Sequence, residues 1–172
     1  MLAGGYDKED RLASVEVLST VPSFKNKKLA ELPYIINGRP SLFLHDDNLL
    51  ICGGYGNYDK CFMYEKDAWK ELSTLKLNEY RSYASTVTTA DGTFIFGGYD
   101  SRDTYEFLPP NKVWQEGKSK IPNQFYQGCA VEVPDKKEIL LVGGRDTFKR
   151  ILKFDIEKED FKVMNVSLLK GR

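Results

Sequence analysis

The chain has 172 residues, of which 41% are hydrophobic and 29% are charged, a composition typical of a folded globular protein. Its 25 basic and 25 acidic residues cancel, which leaves no net charge to attract nucleic acid. No apolar run approaches the roughly 20 residues that a membrane-spanning helix needs, so membrane insertion is not expected.

A pair of glycines follows a short apolar stretch at four places along the chain. The first glycines of successive pairs are separated by 49, 44 and 46 residues, and this spacing indicates a repeated structural unit. The spacing predicts a single domain, residues 1–172, made of four units at 1–38, 39–80, 81–126 and 127–172. The pairs are Gly4-Gly5, Gly53-Gly54, Gly97-Gly98 and Gly143-Gly144.

Strands are predicted on both sides of each glycine pair. A polar loop follows the pair, and then apolar and polar residues alternate, as in a strand with one buried face, at 14–18, 61–64, 104–107 and 151–155. Another strand, at 40–44, 85–88 and 129–133, comes before the glycine strand and is separated from it by a tight turn. Each unit therefore predicts four short strands in one antiparallel sheet, except that the first unit begins at its glycine strand.

A bulky ring follows the strand after each glycine pair. Five to seven residues beyond the last apolar or aromatic position of that strand come Phe24, Trp69, Trp114 and Phe161. Such a ring can fill the gap between neighbouring sheets. The glycine pair itself permits backbone angles and close approaches that a side chain would block.

The order of an apolar stretch, two glycines, an aromatic residue and then a tryptophan resembles the kelch repeat. The resemblance covers essentially the whole chain and is strongest in the units that contain Trp69 and Trp114. It implies an all-β fold, a partial kelch-type β-propeller of about four blades with four antiparallel strands each, the first blade being incomplete. Because kelch propellers usually have about six or seven blades, we expect a fragment of a longer protein. The alternative is self-association, in which a second copy completes the ring through the open blade edges.

The three cysteines give information about the cellular compartment of the protein. Cys52 ends a glycine strand and Cys61 begins the next, so antiparallel pairing could place them side by side as a disulfide; two buried thiols are the alternative. The pattern is also similar to that of secreted kelch-like proteins of invertebrates, which often carry a Cys before the glycine pair and another in the following strand. That likeness favours an extracellular protein. Cys129 is expected to be a small core residue.

No catalytic, cofactor or metal site is predicted. The single histidine, His45, falls in a turn that we expect to be solvated, with no second His or Cys at ligand spacing. Copper oxidases of the wider propeller superfamily need paired histidines, which this chain lacks. Acidic pairs such as Glu159-Asp160 could in principle act as in a glycosidase, but they fall in turn-like, solvated segments.

The resemblance implies a non-enzymatic binding module whose blade loops contact a protein or a glycan. One alternative is a substrate adaptor of a ubiquitin ligase whose BTB-type domain lies outside this chain, which reduced Cys52 and Cys61 would support. The other is a sugar-modifying propeller enzyme. Arg39 and Arg81 precede the first strand of a unit, where they either brace adjacent loops or line the binding face. The candidate contact residues are Tyr6, Asp7, Arg39, Tyr55, Tyr58, Arg81, Tyr99, Asp100, Arg102, Arg145 and Asp146.

Overall fold

The computed structural model describes residues 2–7, 10–19, 25–32, 40–56, 59–110, 112–145 and 149–170. Within 2–7, 10–12, 17–19 and 25–26 it describes the backbone alone. The described residues are all-β, with fifteen strands and no helix. Over the same ranges, no helical segment has the length and apolar character required to cross a membrane.

The strands form four antiparallel sheets in which chain neighbours pair. The first sheet has β1 (Leu2–Asp7), β2 (Asp10–Ser19) and β3 (Lys25–Lys28), and the second has β4 (Ser41–His45), β5 (Asn48–Cys52), β6 (Cys61–Glu65) and β7 (Ala68–Glu71). The third has β8 (Ser85–Thr89), β9 (Gly92–Phe96), β10 (Tyr105–Leu108) and β11 (Gln115–Glu116), and the fourth has β12 (Cys129–Val133), β13 (Glu138–Val142), β14 (Arg150–Asp155) and β15 (Asp160–Ser167). The predicted all-β fold with four-stranded antiparallel sheets is confirmed.

Tight turns close the hairpins at one end of the sheets. Asp46 and Asp47, between β4 and β5, have φ values of 47° and 61°, and Lys66 and Asp67, between β6 and β7, have φ values of 50° and 59°. Two successive residues at positive φ give a turn whose twist matches that of the paired strands. Asp tolerates this backbone region because its short side chain can bond to the local backbone.

Apolar side chains are buried between successive sheets, in three clusters. The first and second sheets enclose Val15, Leu29, Leu32, Ile51 and Phe62. The second and third enclose a cluster that includes Leu50, Cys52, Cys61, Ile95 and Trp114. The third and fourth enclose one that includes Phe96, Tyr105, Leu141, Leu152 and Phe154. Because neighbouring strand residues point to opposite faces, each inner sheet buries both of its faces.

Rings from the last strands reach back to the preceding sheet. The indole Nε1 of Trp69 donates a hydrogen bond to the carbonyl oxygen of Ala30 (3.0 Å), beyond β3. Trp114 is buried and meets the ring of Phe43 edge-on, with centroids 5.8 Å apart. Phe161 lies edge-on to Phe96, with centroids 6.3 Å apart. Each ring therefore closes the gap between its own sheet and the sheet before it.

The first strands of the three four-stranded sheets lie side by side. β8 contacts β4 on one side and β12 on the other. The hydroxyl of Thr88 donates to the carbonyl oxygen of Leu44 (3.1 Å), and that of Ser85 donates to Gly128 (2.9 Å). The strand ends of these three sheets are therefore aligned and define two opposite faces. The hairpin face holds the tight turns 46–47, 66–67, 90–91, 134–137 and 156–159. The loop face holds residues 53–56, 78–84, 97–104, 120–128 and 143–145.

Candidate binding face

The glycine pairs let each loop bond directly to the segment that connects two sheets. Gly97 and Gly98 have φ values of 62° and 128°, and a Cβ on Gly97 would lie 1.8 Å from the carbonyl oxygen of Phe125. Only glycine fits there. The amide of Gly98 donates to that same oxygen (3.0 Å), and the amide of Gly54 donates to Arg81 in the corresponding place (2.8 Å).

Two connecting segments, residues 80–82 and 124–126, follow the same course across the loop face. In each, one side chain points outward and the next points into the protein. Tyr80 is 57% exposed and Arg81 is 1% exposed, while Gln124 is exposed and Phe125 is buried. Each segment therefore carries one outward-pointing side chain directly before a buried anchor.

Arg81 is the anchor of the first of these segments. Its Nε donates to Glu106 Oε1 (2.8 Å), and its Nη1 donates to the carbonyl oxygen of Gly97 (2.7 Å). Glu106 is itself fully buried and also accepts from the backbone amide of Asn78 (2.7 Å). Of the two roles predicted for Arg81, these contacts support bracing of the loops, because its guanidinium group does not reach the surface.

The loop after Gly98 brings the side chain of Arg102 against the rings of Tyr99 and Tyr126. The guanidinium carbon of Arg102 lies 4.8 Å from the ring centre of Tyr99 and 4.7 Å from that of Tyr126. Its Nε donates to the carbonyl oxygen of Tyr99 (2.8 Å), and its Nη1 donates to Gln124 Oε1 (3.0 Å). Such stacking of a cation on aromatic faces holds the loop in place.

The remaining candidate residues divide by their position. Tyr55 and Tyr99 are 53% and 50% exposed, and Asp100 and Arg145 are exposed on the same face. Arg39, Tyr58 and Asp146 lie outside the described residues.

The first unit differs from the prediction. Tyr6 and Asp7 were expected in a loop, but their backbone forms the end of β1, where Tyr6 pairs with Arg11 and Asp7 with Asp10. The reason is that Gly4 and Gly5 lie inside this strand, where the register shifts between Ala3 and Gly5, instead of ending it.

A disulfide closes the base of the loop that carries Tyr55. Cys52 and Cys61 stand directly opposite each other on β5 and β6, with Cα atoms 4.1 Å apart, and are bonded through sulfur. Both are fully buried, and beside them the amide of Gly53 donates to the carbonyl oxygen of Lys60 (2.9 Å). The predicted disulfide is confirmed.

The expectation for Cys129 is wrong. Cys129 is a free thiol and is exposed. It starts β12 on the face that also carries Val131, a face that none of the described sheets covers. Burial in a core would require another element against the fourth sheet.

His45 also departs from the prediction. It ends β4, and its side chain is only 10% exposed. Its Nδ1 lies 3.4 Å from the hydroxyl of Thr93, and its Nε2 lies 3.5 Å from Asp46 Oδ2. The ring is packed between the second and third sheets, and no group of three His, Cys, Asp or Glu side chains that could hold a metal occurs in the described part of the chain.

A small cleft of about 90 Å³ opens between the third and fourth sheets. At its wall the hydroxyl of Tyr105 donates to Glu159 Oε2 (3.2 Å), and Lys118 Nζ lies 2.6 Å from Glu159 Oε1. Burial raises the pKa of Tyr105 to about 12. Burial also opposes ionisation of Glu159, but the hydrogen bonds from Lys118 and Tyr105 outweigh it and lower the pKa of Glu159.

That cleft has little in common with a catalytic site. A glycosidase needs a carboxyl group whose pKa is raised, so that it can serve as an acid, whereas the pKa of Glu159 is lowered. Ligand pockets usually enclose about 300–1,000 Å³, which is well above the volume of this cleft.

The comparisons with known proteins identify no family. No family model matches the chain, and no curated protein matches it.

Proposed function

We propose that these four sheets are part of a kelch-type β-propeller that works as a non-enzymatic binding module. The observation that carries the proposal is the hydrogen bonding of the loop face, where Gly54 bonds to Arg81 and Gly98 bonds to Phe125. These bonds join each loop to the segment entering the next sheet. The face-to-face packing of the sheets and the adjacent first strands support the same arrangement.

The loops of this face present their side chains to a protein or a glycan. Because hydrogen bonds already fix the backbone of these loops, the backbone loses little freedom on binding, and a surface ordered in advance binds more tightly. Tyr55, Tyr99, Asp100 and Arg145 are the candidate contacts that reach solvent here.

The Cys52–Cys61 bond favours an extracellular binding module over an intracellular ubiquitin-ligase adaptor. Disulfides persist in oxidising compartments and are rare in the cytosol. The apolar face beside Cys129 and Val131 supports a further blade against the fourth sheet.

A capture experiment tests the proposal. The wild-type chain, the Tyr55→Ala/Tyr58→Ala/Tyr99→Ala variant and a control variant are immobilised and exposed to tissue extract and extracellular fluid. The control is Leu44→Ala/Val113→Ala, which removes two exposed side chains that lie outside the loop face. We expect a binding partner that the wild type and the control retain and that the tyrosine variant loses. A partner that binds all three equally contradicts the proposal.

A further inference from the structure

Tyr80 lies at the middle of the loop face, between two loops that each carry a tyrosine. On one side the amide of Gly54, next to Tyr55, donates to the carbonyl oxygen of Arg81 (2.8 Å). On the other side the hydroxyl of Ser101 donates to the carbonyl oxygen of Tyr80 (2.8 Å). The amide of Tyr99 also donates to Ser82 (2.7 Å). Residues 80–82 are thus held between the loops of the second and third sheets.

The three residues Tyr55, Tyr80 and Tyr99, here called the tyrosine row, are the exposed tyrosines among the described side chains. Each keeps half or more of its surface in water, at 53%, 57% and 50%. None lies on the hairpin face. A tyrosine ring has a large apolar surface that is usually at least partly buried. Several exposed tyrosines on a single face therefore indicate a contact surface.

Tyr80 stands next to a buried anchor, Arg81. Arg81 points into the protein because its guanidinium group bonds to Glu106 and to the carbonyl oxygen of Gly97. Tyr80, the residue before it, is 57% exposed, so its ring faces solvent beside this anchor. The hydrogen bonds on both sides of the segment then fix its backbone.

The surroundings of Tyr80 indicate the kind of partner. A glycan site needs polar groups that converge on the sugar beside an aromatic ring. The two charged residues that flank Tyr80 in the chain are instead bonded to each other, since Arg81 Nη2 lies 3.2 Å from Glu79 Oε2, and the hydroxyl of Thr104 also donates to Glu79. Protein interfaces depend on tyrosine and arginine hot spots, and a tyrosine side chain offers a large surface with few rotatable bonds.

The hairpin face has a different chemistry. There Lys137 pairs with Asp91 of the neighbouring sheet (2.6 Å) and Lys158 pairs with Asp155 (2.9 Å). Lysine and aspartate are depleted at the centres of protein interfaces. The contrast favours the loop face over the hairpin face.

We propose that the tyrosine row is the contact surface for a protein partner and that Tyr80 is its hot spot. This inference rests on the proposed binding function, to which it adds the central residue and the class of partner.

Selection from a phage-displayed library of random peptides tests the inference on the chain with its disulfide intact. The affinities of the selected peptides are then measured for Tyr80→Ala, Tyr80→Phe and the Leu44→Ala/Val113→Ala control. Tyr80→Ala is expected to weaken binding by about 30-fold, the loss typical of a hot-spot residue. Tyr80→Phe keeps the ring and is expected to weaken binding by less than about threefold. The control is expected to bind like the wild type.

Several results would overturn the inference. Peptides that still bind Tyr80→Ala but not the control would place the contact surface outside the loop face, and the binding function itself would survive. Binding to a glycan array that depends on Tyr80, without any selected peptide, would show that the partner class is wrong. A chain that selects no peptide and binds no glycan contradicts both the inference and the proposed function.

Discussion

The second and third sheets have the same order of strands and loops, but different chemistry holds their glycine loops. In the second sheet Cys52 and Cys61 pair across β5 and β6 and form a disulfide at the base of the loop. In the third sheet the same positions hold Phe96 and Tyr105, which pair in the same register without a covalent bond. Here the loop is held from outside by Arg81, which bonds to the carbonyl oxygen of Gly97.

The comparison shows which features of the repeat are interchangeable. The backbone register, the positive φ of the glycines and the bond to the connecting segment occur in both sheets. The stabilising side chains differ, because a local covalent bond and a distant ion pair can hold one backbone geometry. The stability that the disulfide and the ion pair provide should respond differently to reductant, to substitution and to pH.

The largest expected effect comes from breaking the anchor of the third sheet. Glu106→Ala would remove the fully buried carboxylate that bonds to the guanidinium group of Arg81 and leave it only the partly exposed carboxylate of Glu79. Removing one partner of a buried ion pair costs about 3–5 kcal/mol, so the free energy of unfolding in urea should fall by that amount. Glu106→Gln keeps a hydrogen-bond acceptor and should cost less. A loss below about 1 kcal/mol for Glu106→Ala would show that the ion pair does not hold this loop.

Removing the disulfide of the second sheet is expected to have the next largest effect. Cys52 and Cys61 are nine residues apart in the chain. A cross-link that closes a loop of this size lowers the entropy of the unfolded chain and so raises its free energy by about 2.7 kcal/mol. The Cys52→Ala/Cys61→Ala variant should therefore unfold at lower urea concentration. Adding dithiothreitol should destabilise the wild type and the Glu106→Gln variant but leave the double cysteine variant unchanged. If reductant destabilises the double variant as well, the contrast between the two sheets fails.

The smallest expected effect is a dependence of stability on pH that comes from Tyr105. This residue occupies the position in the third sheet that Cys61 occupies in the second. Burial raises the pKa of Tyr105 in the folded protein to about 12, against about 10 in the unfolded chain. Between these values the unfolded chain releases the proton and the folded protein keeps it, so stability falls as the pH rises. Tyr105 should therefore account for a loss of about 1.4 kcal/mol between pH 9 and pH 11.

Tyr105→Phe removes that ionisation and checks the expected loss. Urea unfolding of the variant and of the wild type at both pH values measures it, and the variant should lose less stability between them. Equal losses in the two proteins would mean that Tyr105 ionises alike in the folded and unfolded states.

The strands and turns were largely predictable because their signals are local. Alternating apolar residues and turn residues marked out β6, β10 and β14, which the structure places at 61–65, 105–108 and 150–155. The same signals fail in the first unit, where Gly4 and Gly5 predict the end of a strand that in fact continues through Asp7. A glycine pair does not by itself distinguish the end of a strand from an irregularity within it.

The sequence by itself determined the all-β repeat, the positions of most strands and the two cysteines that could pair. It left the disulfide open because a slip of one residue in register would turn Cys52 and Cys61 to opposite faces of the sheet. Only the tertiary structure decided the register and the direction of the side chains outside the strands. Arg81 points inward because Glu106, 25 residues away in the chain, lies beneath it, whereas its neighbour Tyr80 is exposed. Cys129 is exposed because the burial of a strand face depends on whether another sheet packs against it, and no pattern within that strand records this.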